Sequence, residues 1–348
     1  MKRIIKNFPF LSTVLLILLS QGCTKPVWVF QASGTTNNLL GVWFTDANTG
    51  TVVGVGGTIL HTTDGGDTWE IQSTGNGPVL WGVRFCDSKN GWIVGNEGII
   101  LHTNNGGSTW IRQSSGTSTD LSRIFCLDTS MAWVVGDNSI LHTADGGTTW
   151  TSQTSLVMTR FWDIFFTDPD TGTAVGGWCN FCYGSPYYGG YILHTNNGGD
   201  AWTIQNHDTT IFGFYGIFFN DANSGTVVGA GGTILHTNDG GATWTKQSSG
   251  TTNDLWDVFF SSADTGIIVG GNIEYADSTF GGTILRTTNG GTTWVKQEIP
   301  TRNAIYKVYF TDDNTGTAVG LEGTILHTNS GGKSRFKNYK YELIQNND

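Results

Sequence analysis

The sequence predicts an all-β protein, a single seven-bladed β-propeller of four-stranded antiparallel blades. The decapeptide LHTTDGGDTW, Leu60 to Trp69, recurs at a spacing of about 40 residues. Each repeat holds four short runs of strand-forming residues, and a solitary copy of the fourth run stands before the first repeat. Repeats of this length indicate a solenoid, propeller or array, and four strands per unit favour the propeller.

The decapeptide marks the turn between the third and fourth strands of each unit. Its Asp/Asn-Gly-Gly centre suits a tight turn, because Asp and Asn bond their own backbone and Gly accepts a positive φ. We expect the Trp that follows to wedge between blades. The seven copies, the last of which reads LHTNSGGKSR, begin at Leu60, Leu101, Leu141, Leu193, Leu235, Leu285 and Leu326.

The four runs read as strands rather than helices. In the fifth unit they are FYGIFF, TVVGA, TILHT and TWTKQ, and no apolar residues recur at helical spacing. The N-terminal WVFQ, Trp28 to Gln31, matches the fourth run, whereas the last unit has Arg335 where the others have Trp. We therefore predict that the N-terminal strand completes the seventh blade by pairing beside Thr324 to Thr328, which removes the exposed sheet edges.

Residues 1–22 resemble a bacterial lipoprotein signal peptide. MKRIIKN supplies a basic start, Phe8 to Leu19 is apolar, and the segment ends in LSQGC. We expect a lipid on Cys23, a short tether over 23–27, the propeller over 28–332 and a polar C-terminal tail over 333–348. The alternatives to lipidation are plain secretion and an uncleaved membrane anchor. The expected location is extracytoplasmic, as a membrane-anchored lipoprotein in the periplasm or at the cell surface.

The charge of the chain excludes one class of partner. The formal net charge is -10, and it becomes -13 without residues 1–22, which contribute Lys2, Arg3 and Lys6 and no acid. An acidic chain is a poor ligand for nucleic acid. We expect a monomer that meets the membrane only through its N-terminal lipid.

The pattern T-x-[DN]-G-G-x-T-W resembles the Asp-box, or bacterial neuraminidase (BNR), repeat. The whole unit, [LF]-[WY]-x-[VI]-x-F followed by VG, G-x-I-L-x-T and GG-x-T-W, resembles the photosystem II stability and assembly factor-like propellers over Trp28 to Gly332. The resemblance implies seven blades and an assembly or scaffold role, because the shared residues are those that build blades. Nothing in the sequence shows a photosynthetic context.

Histidine and cysteine offer candidate metal and redox sites. Equivalent third-strand positions on neighbouring blades should lie roughly 10 Å or more apart, which predicts no metal site, and we expect no cofactor. These positions hold His61, His102, His142, His194, His236 and His327. Cys179 and Cys182 form a C-x-x-C pair that we expect to be a local disulfide in an oxidising compartment. For Cys86 and Cys126 we expect buried free thiols.

Two insertions distinguish the fourth and sixth units. Gly177 to Tyr191 and Gly271 to Gly282 both replace the short connection between the second and third strands, so they should elaborate one face of the disc, opposite the Asp-box turns. Their side chains are suited to contact a protein or a sugar, although they would also serve to pack the long loops onto the blades. These candidates are Trp178, Phe181, Tyr183, Tyr187, Tyr188, Tyr275 and Phe280, with Glu274 and Asp277.

A second candidate surface lies at the channel mouth. The third residue of each first strand should face it, and this ring comprises Gly41, Gly82, Arg123, Asp163, Gly216, Asp257 and Lys307. Basic contacts to a partner would come from Arg123, Arg160, Arg302 and Lys307.

Two functional classes follow from these observations. The first is a non-enzymatic scaffold or assembly factor that binds an envelope or extracellular protein. The alternative is a glycan-binding or glycan-hydrolysing propeller like sialidases and xyloglucanases, in which Asp163 and Asp257 would be the carboxylate pair, at a separation of up to about 9.5 Å. The arginine triad and Tyr–Glu pair of neuraminidase-like chemistry cannot be assigned here, and xyloglucanase-like enzymes place their acids between two propellers. We therefore favour binding and assign no other catalytic residue.

Overall fold

The computed structural model describes residues 27–73, 75–155, 157–177, 188–272 and 281–332. These residues form seven four-stranded antiparallel sheets, the seven-bladed propeller that the repeats predict. No helix in the described ranges is long and apolar enough to cross a membrane.

The strands occupy the same place in every blade. The innermost strands of blades 1 to 7 are β2 (Leu39–Phe44), β6 (Leu80–Phe85), β10 (Leu121–Cys126), β14 (Phe161–Phe166), β18 (Phe214–Phe219), β22 (Leu255–Phe260) and β26 (Ile305–Phe310). The second strands are β3 (Gly50–Gly54), β7 (Gly91–Gly95), β11 (Ala132–Gly136), β15 (Gly172–Gly176), β19 (Gly225–Gly229), β23 (Gly266–Gly270) and β27 (Gly316–Gly320). The third strands are β4 (Ile59–Thr62), β8 (Ile99–Thr103), β12 (Ser139–Thr143), β16 (Gly190–Thr195), β20 (Thr233–Thr237), β24 (Thr283–Thr287) and β28 (Ile325–Thr328). The outermost strands are β5 (Glu70–Ser73), β9 (Ile111–Ser114), β13 (Thr151–Gln153), β17 (Thr203–Asp208), β21 (Thr245–Gln247), β25 (Val295–Lys296) and β1 (Val29–Gln31).

The N-terminal strand closes the ring, as predicted. β1 pairs antiparallel with β28, with Val29 opposite His327 and Gln31 opposite Ile325. Trp28 is fully buried, and its ring meets Phe310 edge-on at 5.9 Å between centroids. The seventh blade therefore takes its outermost strand from the other end of the chain, and no sheet in the ring is left one strand short.

The blades are joined by a contact between the outermost strand of one blade and the Asp-box turn of the next. Gln31 donates to the carbonyl oxygen of Gly65 at 3.2 Å and accepts from the indole N–H of Trp69 at 3.3 Å. The next junctions repeat these bonds through Gln72 and Gln113. The box Trp lies between blades, as predicted, and Gln31 fixes the closing strand to blade 1.

The cysteines at positions 86 and 126 are bonded to each other, so the prediction of free thiols was wrong. Their Cα atoms lie 5.9 Å apart, within the usual range for a disulfide, and the bond links blades 2 and 3. Blade 3 differs from the other blades at this point. In each of the others the last Phe of the inner strand packs against the Gly that begins the second strand, such as Phe44 against Gly50, whereas blade 3 has Cys126 and Ala132 at these positions. Cys126 is smaller than Phe and leaves room for the Cβ of Ala132 and for the sulfur of Cys86 in the neighbouring blade.

Both insertions arise on the same face. Gly176 pairs with Phe161, and Gly270 pairs with Leu255, so each insertion leaves its second strand where an inner strand begins. We call this the insert face. The Asp-box turns lie on the opposite face, the box face, where the backbone N–H of Gly65 bonds the carbonyl oxygen of Asn48 in the turn between β2 and β3.

Candidate functional site: an axial cup and inner channel

Every inner strand carries a β-bulge at its second residue. In β2, Leu39 pairs with Gly54 and Gly41 with Val53, so Leu40 is the extra residue between two pairs. The bulge residues are Leu40, Trp81, Ser122, Trp162, Tyr215, Trp256 and Tyr306. All seven line one cavity of about 420 Å³, which we call the axial cup. Because every blade contributes to it, the cup lies on the propeller axis, and it opens on the insert face.

The wall of the cup is a continuous arc of aromatic rings. Tyr215 stacks on Trp256 at 4.5 Å between centroids and meets Trp162 edge-on at 5.8 Å. Trp256 contacts Tyr306 at 5.9 Å, and Trp81 approaches Trp162 at 6.3 Å. The exposed surface of this cavity is mostly apolar. Such a wall matches apolar and aromatic groups, and Trp and Tyr are the side chains that dominate binding energy at interfaces.

Polar contacts hold the aromatic wall in place. Trp256 donates its indole N–H to the carbonyl oxygen of Gly271, the root of the second insertion, at 2.9 Å. The Arg160 guanidinium lies 5.1 Å from the ring of Trp81 and 4.3 Å from that of Trp162, and its Nε is 3.2 Å from Asp137 Oδ1. Burial lowers the pKa of Arg160. Arg160 is thus a structural cation at the cup's edge as well as the candidate contact that the sequence suggested.

The predicted ring of charged residues lies directly below the cup. Arg123 Nε is 3.4 Å from Asp163 Oδ1, Lys307 Nζ is 3.9 Å from Asp163 Oδ2, and Lys307 also donates to Asp257 Oδ1. Gly41, Gly82 and Gly216 occupy the other three positions. At Gly41 an added Cβ would lie 2.8 Å from a methyl group of Val53, so this position holds no larger side chain without a shift. The four charged residues therefore form one network across blades 3, 4, 6 and 7.

The carboxylates of Asp163 and Asp257 are both engaged by cationic side chains and backbone N–H groups. Asp257 accepts the backbone N–H of Val308 at 3.1 Å in addition to the Lys307 ammonium, and its side chain is only 2% exposed. Asp163 accepts the N–H groups of Ile164 at 2.9 Å and Ile217 at 3.4 Å. Burial raises the pKa of Asp257 and lowers that of Lys307. The sequence left open whether Asp163 and Asp257 meet; the structure brings both within ion-pair distance of the Lys307 ammonium group.

A second aromatic ring surrounds the channel below the charged network. Phe165 contacts Phe125 at 4.9 Å and Phe218 at 5.2 Å, and Phe259 contacts Phe218 at 5.3 Å and Tyr309 at 5.1 Å. Trp43 continues the ring at 4.5 Å from Tyr309. Arg84 takes the seventh position, with its guanidinium carbon 4.7 Å from the ring centre of Trp43 and 3.9 Å from that of Phe125. This ring and the charged network enclose an inner cavity of about 250 Å³ that all seven blades line.

Most of the predicted insert residues lie outside the described residues. They are Trp178, Phe181, Tyr183, Tyr187, Glu274, Tyr275, Asp277 and Phe280, together with Cys179, Cys182 and Cys23. Tyr188 is described: it is half-buried, and its ring lies 5.9 Å from Phe212, which lines the cup. Arg302 is exposed on the insert face, where its carbonyl oxygen accepts the N–H of Gly282, and it does not line the cup.

The bulge residues of the cup are the part of the site that sequence reasoning missed. The sequence pattern pointed instead to the residue after the bulge in each inner strand, and four of these seven residues form the charged network. The sequence did contain a signal, because the bulge positions of four consecutive blades, 4 to 7, all carry Trp or Tyr, from Trp162 to Tyr306. Within the described ranges no group of three or more His, Cys, Asp or Glu residues could hold a metal ion.

Comparison with known proteins agrees with this architecture. The family model described as photosynthesis system II assembly factor YCF48 matches residues 21–119. The chain is an Asp-box propeller similar to the YCF48 assembly factors. A solved structure of YCF48 bound to D1 peptide superposes with a TM-score of 0.68 at 23% identity, over 87% of this chain and 97% of that chain. YCF48 from Cyanidioschyzon merolae gives a TM-score of 0.67 at 20% identity, over 87% and 98% of the two chains.

A glycoside hydrolase shares the fold at lower identity. The GH74 xyloglucanase from Xanthomonas campestris superposes with a TM-score of 0.65 at 12% identity, over 87% of this chain but only 53% of the enzyme. At these identities the solved structures show the common fold alone. A search of curated proteins found no match.

Proposed function

We propose that the protein is a non-enzymatic, extracytoplasmic scaffold or assembly factor, anchored by a lipid on Cys23, that binds a protein partner on its insert face. The observation that carries the proposal is the axial cup. Seven bulged strands direct five Trp and Tyr side chains, at positions 81, 162, 215, 256 and 306, into one mostly apolar cavity. A cavity of this size and lining fits apolar or aromatic side chains of a bound polypeptide.

The cup and the insertions belong to one surface. The bond from Trp256 to Gly271 ties the cup wall to the root of the second insertion. The first insertion returns at Tyr188, which contacts the cup residue Phe212. A partner seated in the cup would therefore lie beside the roots of both insertions, which supports a larger contact area than the cup alone offers.

The chemistry of the channel favours binding over hydrolysis. A glycosidase needs one carboxyl group that can protonate the leaving oxygen and a second that reaches the sugar. Asp257 is bound by Lys307 and a backbone N–H, and Asp163 by Arg123 and two backbone N–H groups. The solved YCF48 structure that holds a D1 peptide supports a protein ligand for a propeller of this kind.

The extracytoplasmic location is supported by two independent features. The signal-like segment that ends at Cys23 predicts export and lipidation. The disulfide between Cys86 and Cys126 is a structural bond between blades, and such bonds persist in oxidising compartments.

Site-specific photocrosslinking tests the binding surface. A photoreactive phenylalanine is placed at Tyr306, in the cup, or at Phe30, which is 56% exposed on the outermost strand of blade 7. Both replacements exchange one aromatic ring for another. After irradiation of native membranes, we expect a discrete protein adduct at position 306 and none at position 30. An adduct at position 30 alone would place recognition on the rim and refute the proposal.

Binding affinities of the purified variants for the purified partner then measure how much each cup residue contributes. We expect Trp256→Ala and Trp162→Ala to weaken binding about 30-fold, which corresponds to about 2 kcal/mol for a buried aromatic contact. Phe30→Ala should bind as the parent protein does. Saturable binding of a polysaccharide that Trp256→Ala abolishes would favour the glycan alternative instead. Turnover of a glycoside that Asp163→Asn abolishes would show that the protein is an enzyme.

The anchor has a separate test. Radiolabelled palmitate should enter the full-length protein in its native host, and Cys23→Ser should remove both the label and the membrane association. Label that persists in the variant, or a parent protein that takes up none, would contradict lipidation without affecting the cup.

A further inference from the structure

The inner cavity holds an excess of positive charge. Its lining includes three cationic side chains, Arg84, Arg123 and Lys307, but only two carboxylates, Asp163 and Asp257. Lys307 pairs with Asp257, and Arg123 pairs with Asp163. Arg84 is therefore the cation without a carboxylate of its own, in a protein whose formal net charge is -10.

Arg84 finds no polar partner among the described residues. Its guanidinium lies between the rings of Trp43 and Phe125 and makes no ion pair or side-chain hydrogen bond there, and its Nε is shut off from solvent. Burial lowers the pKa of Arg84 to about 10; the carboxylate of Asp163 and the phenol of Tyr309 partly oppose this shift, and the charge of Arg123 adds to it. Cation–π contacts stabilise a guanidinium from its faces, but its N–H groups require acceptors in its plane.

The position is also exceptional within the repeat. The equivalent residue in the other six blades is aromatic: Trp43, Phe125, Phe165, Phe218, Phe259 and Tyr309. An arginine here interrupts a ring that could close with seven aromatic side chains and places a charge on the axis. Arg84 is partly buried, with its Nε out of solvent, and withdrawing an unpaired charge from water is costly unless something compensates for it.

We propose that the inner cavity binds one small monovalent anion, a halide or a free carboxylate such as acetate, between the guanidinium groups of Arg84 and Arg123. One negative charge would balance the three cations against the two carboxylates. It would also reduce the repulsion between the two arginines. The cavity of about 250 Å³ has room for such an ion, and Arg123 lines the axial cup as well, so the site lies next to the cup. The proposal does not require the partner binding proposed above, although the two sites share Arg123.

Thermal unfolding at constant ionic strength tests the site. Chloride or acetate is titrated against lactobionate, whose two sugar units make it a much bulkier anion than either. We expect the Tm of the parent protein to rise saturably by about 2–4 °C, since a ligand of the native state stabilises it by mass action. Arg84→Phe restores the aromatic residue of the other blades and should show no such rise. Arg84→Lys keeps the charge and should retain part of it.

The outcomes separate specific binding from a general salt effect. A parent Tm that is the same in chloride and lactobionate would overturn the proposal, and so would an equal rise in Arg84→Phe. If Arg84→Phe does not fold, crystals of the parent protein grown in bromide decide the matter. An anomalous peak within hydrogen-bonding distance of Arg84 supports the site, and its absence there refutes it.

Discussion

At the box face the blades repeat one set of contacts, whereas along the axis equivalent positions carry different side chains from blade to blade. The residue that follows Leu39 in blade 1 is leucine, but its equivalents are serine, tryptophan or tyrosine. The box residue Asp64, by contrast, is replaced only by Asn or Ser. Residues of the box turns meet the same neighbours from one repeat to the next, while those on the axis face a shared space. The variable axial residues are therefore the ones available for recognition.

The axial network should be the most sensitive part of the molecule. Lys307→Met leaves Asp257, which is almost fully buried, without its ammonium partner. We expect the free energy of unfolding to fall by about 3–5 kcal/mol, measured by denaturant titration at neutral pH. The double variant Lys307→Met/Asp257→Leu removes the pair together and should recover much of the loss. A single variant within about 1 kcal/mol of the parent would show that the network contributes little.

The glutamines of the outermost strands allow a second comparison, between a blade junction where the glutamine side chain hydrogen-bonds the next blade and one where it does not within the described residues. The side chain of Gln113 accepts from the indoles of Trp92 and Trp150 and donates to Gly146, whereas the side chain of Gln297, at the equivalent position of blade 6, bonds only the carbonyl oxygen of Val295 within the described residues. We expect Gln113→Leu to cost about 1–3 kcal/mol and Gln297→Leu less than about 0.5 kcal/mol, by the same titration. Equal losses would mean that the contact between blades is not what matters.

Acid should weaken the blades through their histidines. Burial lowers the pKa of His61, His102, His142, His194 and His327 below the ordinary value of 6.5. The unfolded chain therefore binds these protons more readily, so the stability they contribute is complete above about pH 6.5 and is lost as the pH falls below it. Tm measured from pH 7.5 to 5.5 should decline, and His102→Gln should make the decline shallower. A slope unchanged by the variant would exclude His102 as a contributor.

The smallest effect is expected at the box turns. Asp64 accepts bonds from Thr68 and Thr62, which hold its pKa at about 2. Asn105 occupies the equivalent position in blade 2 and accepts the N–H of Thr109 in the same way, at 3.0 Å. Asp64→Asn should therefore leave the unfolding midpoint unchanged, while Asp64→Ala should lower it. A clear loss in the Asn variant would show that the charge, rather than the bonding pattern, stabilises the turn.

The predictable part of the site follows from periodicity. Arg123, Asp163, Asp257 and Lys307 were identified because they break a repeat at one position, and the structure brings them into one network. The cup was missed because a bulge adds one residue to each inner strand, which interrupts the alternation of side chains used to assign faces. Arg84 replaces an aromatic residue that the other six blades carry at the equivalent position. Only the structure shows that these seven side chains line one cavity.

The sequence by itself determined the number of blades, the closing role of Trp28 to Gln31 and the face on which both insertions arise. These features depend on local patterns that recur, and each blade repeats the same strand and turn signals. Only the tertiary structure decided that Cys86 bonds Cys126, that Lys307 lies between two aspartates, and that seven bulges form one cup. Those contacts join residues of different blades, and their geometry depends on how far each sheet is rotated and shifted against the next around the axis.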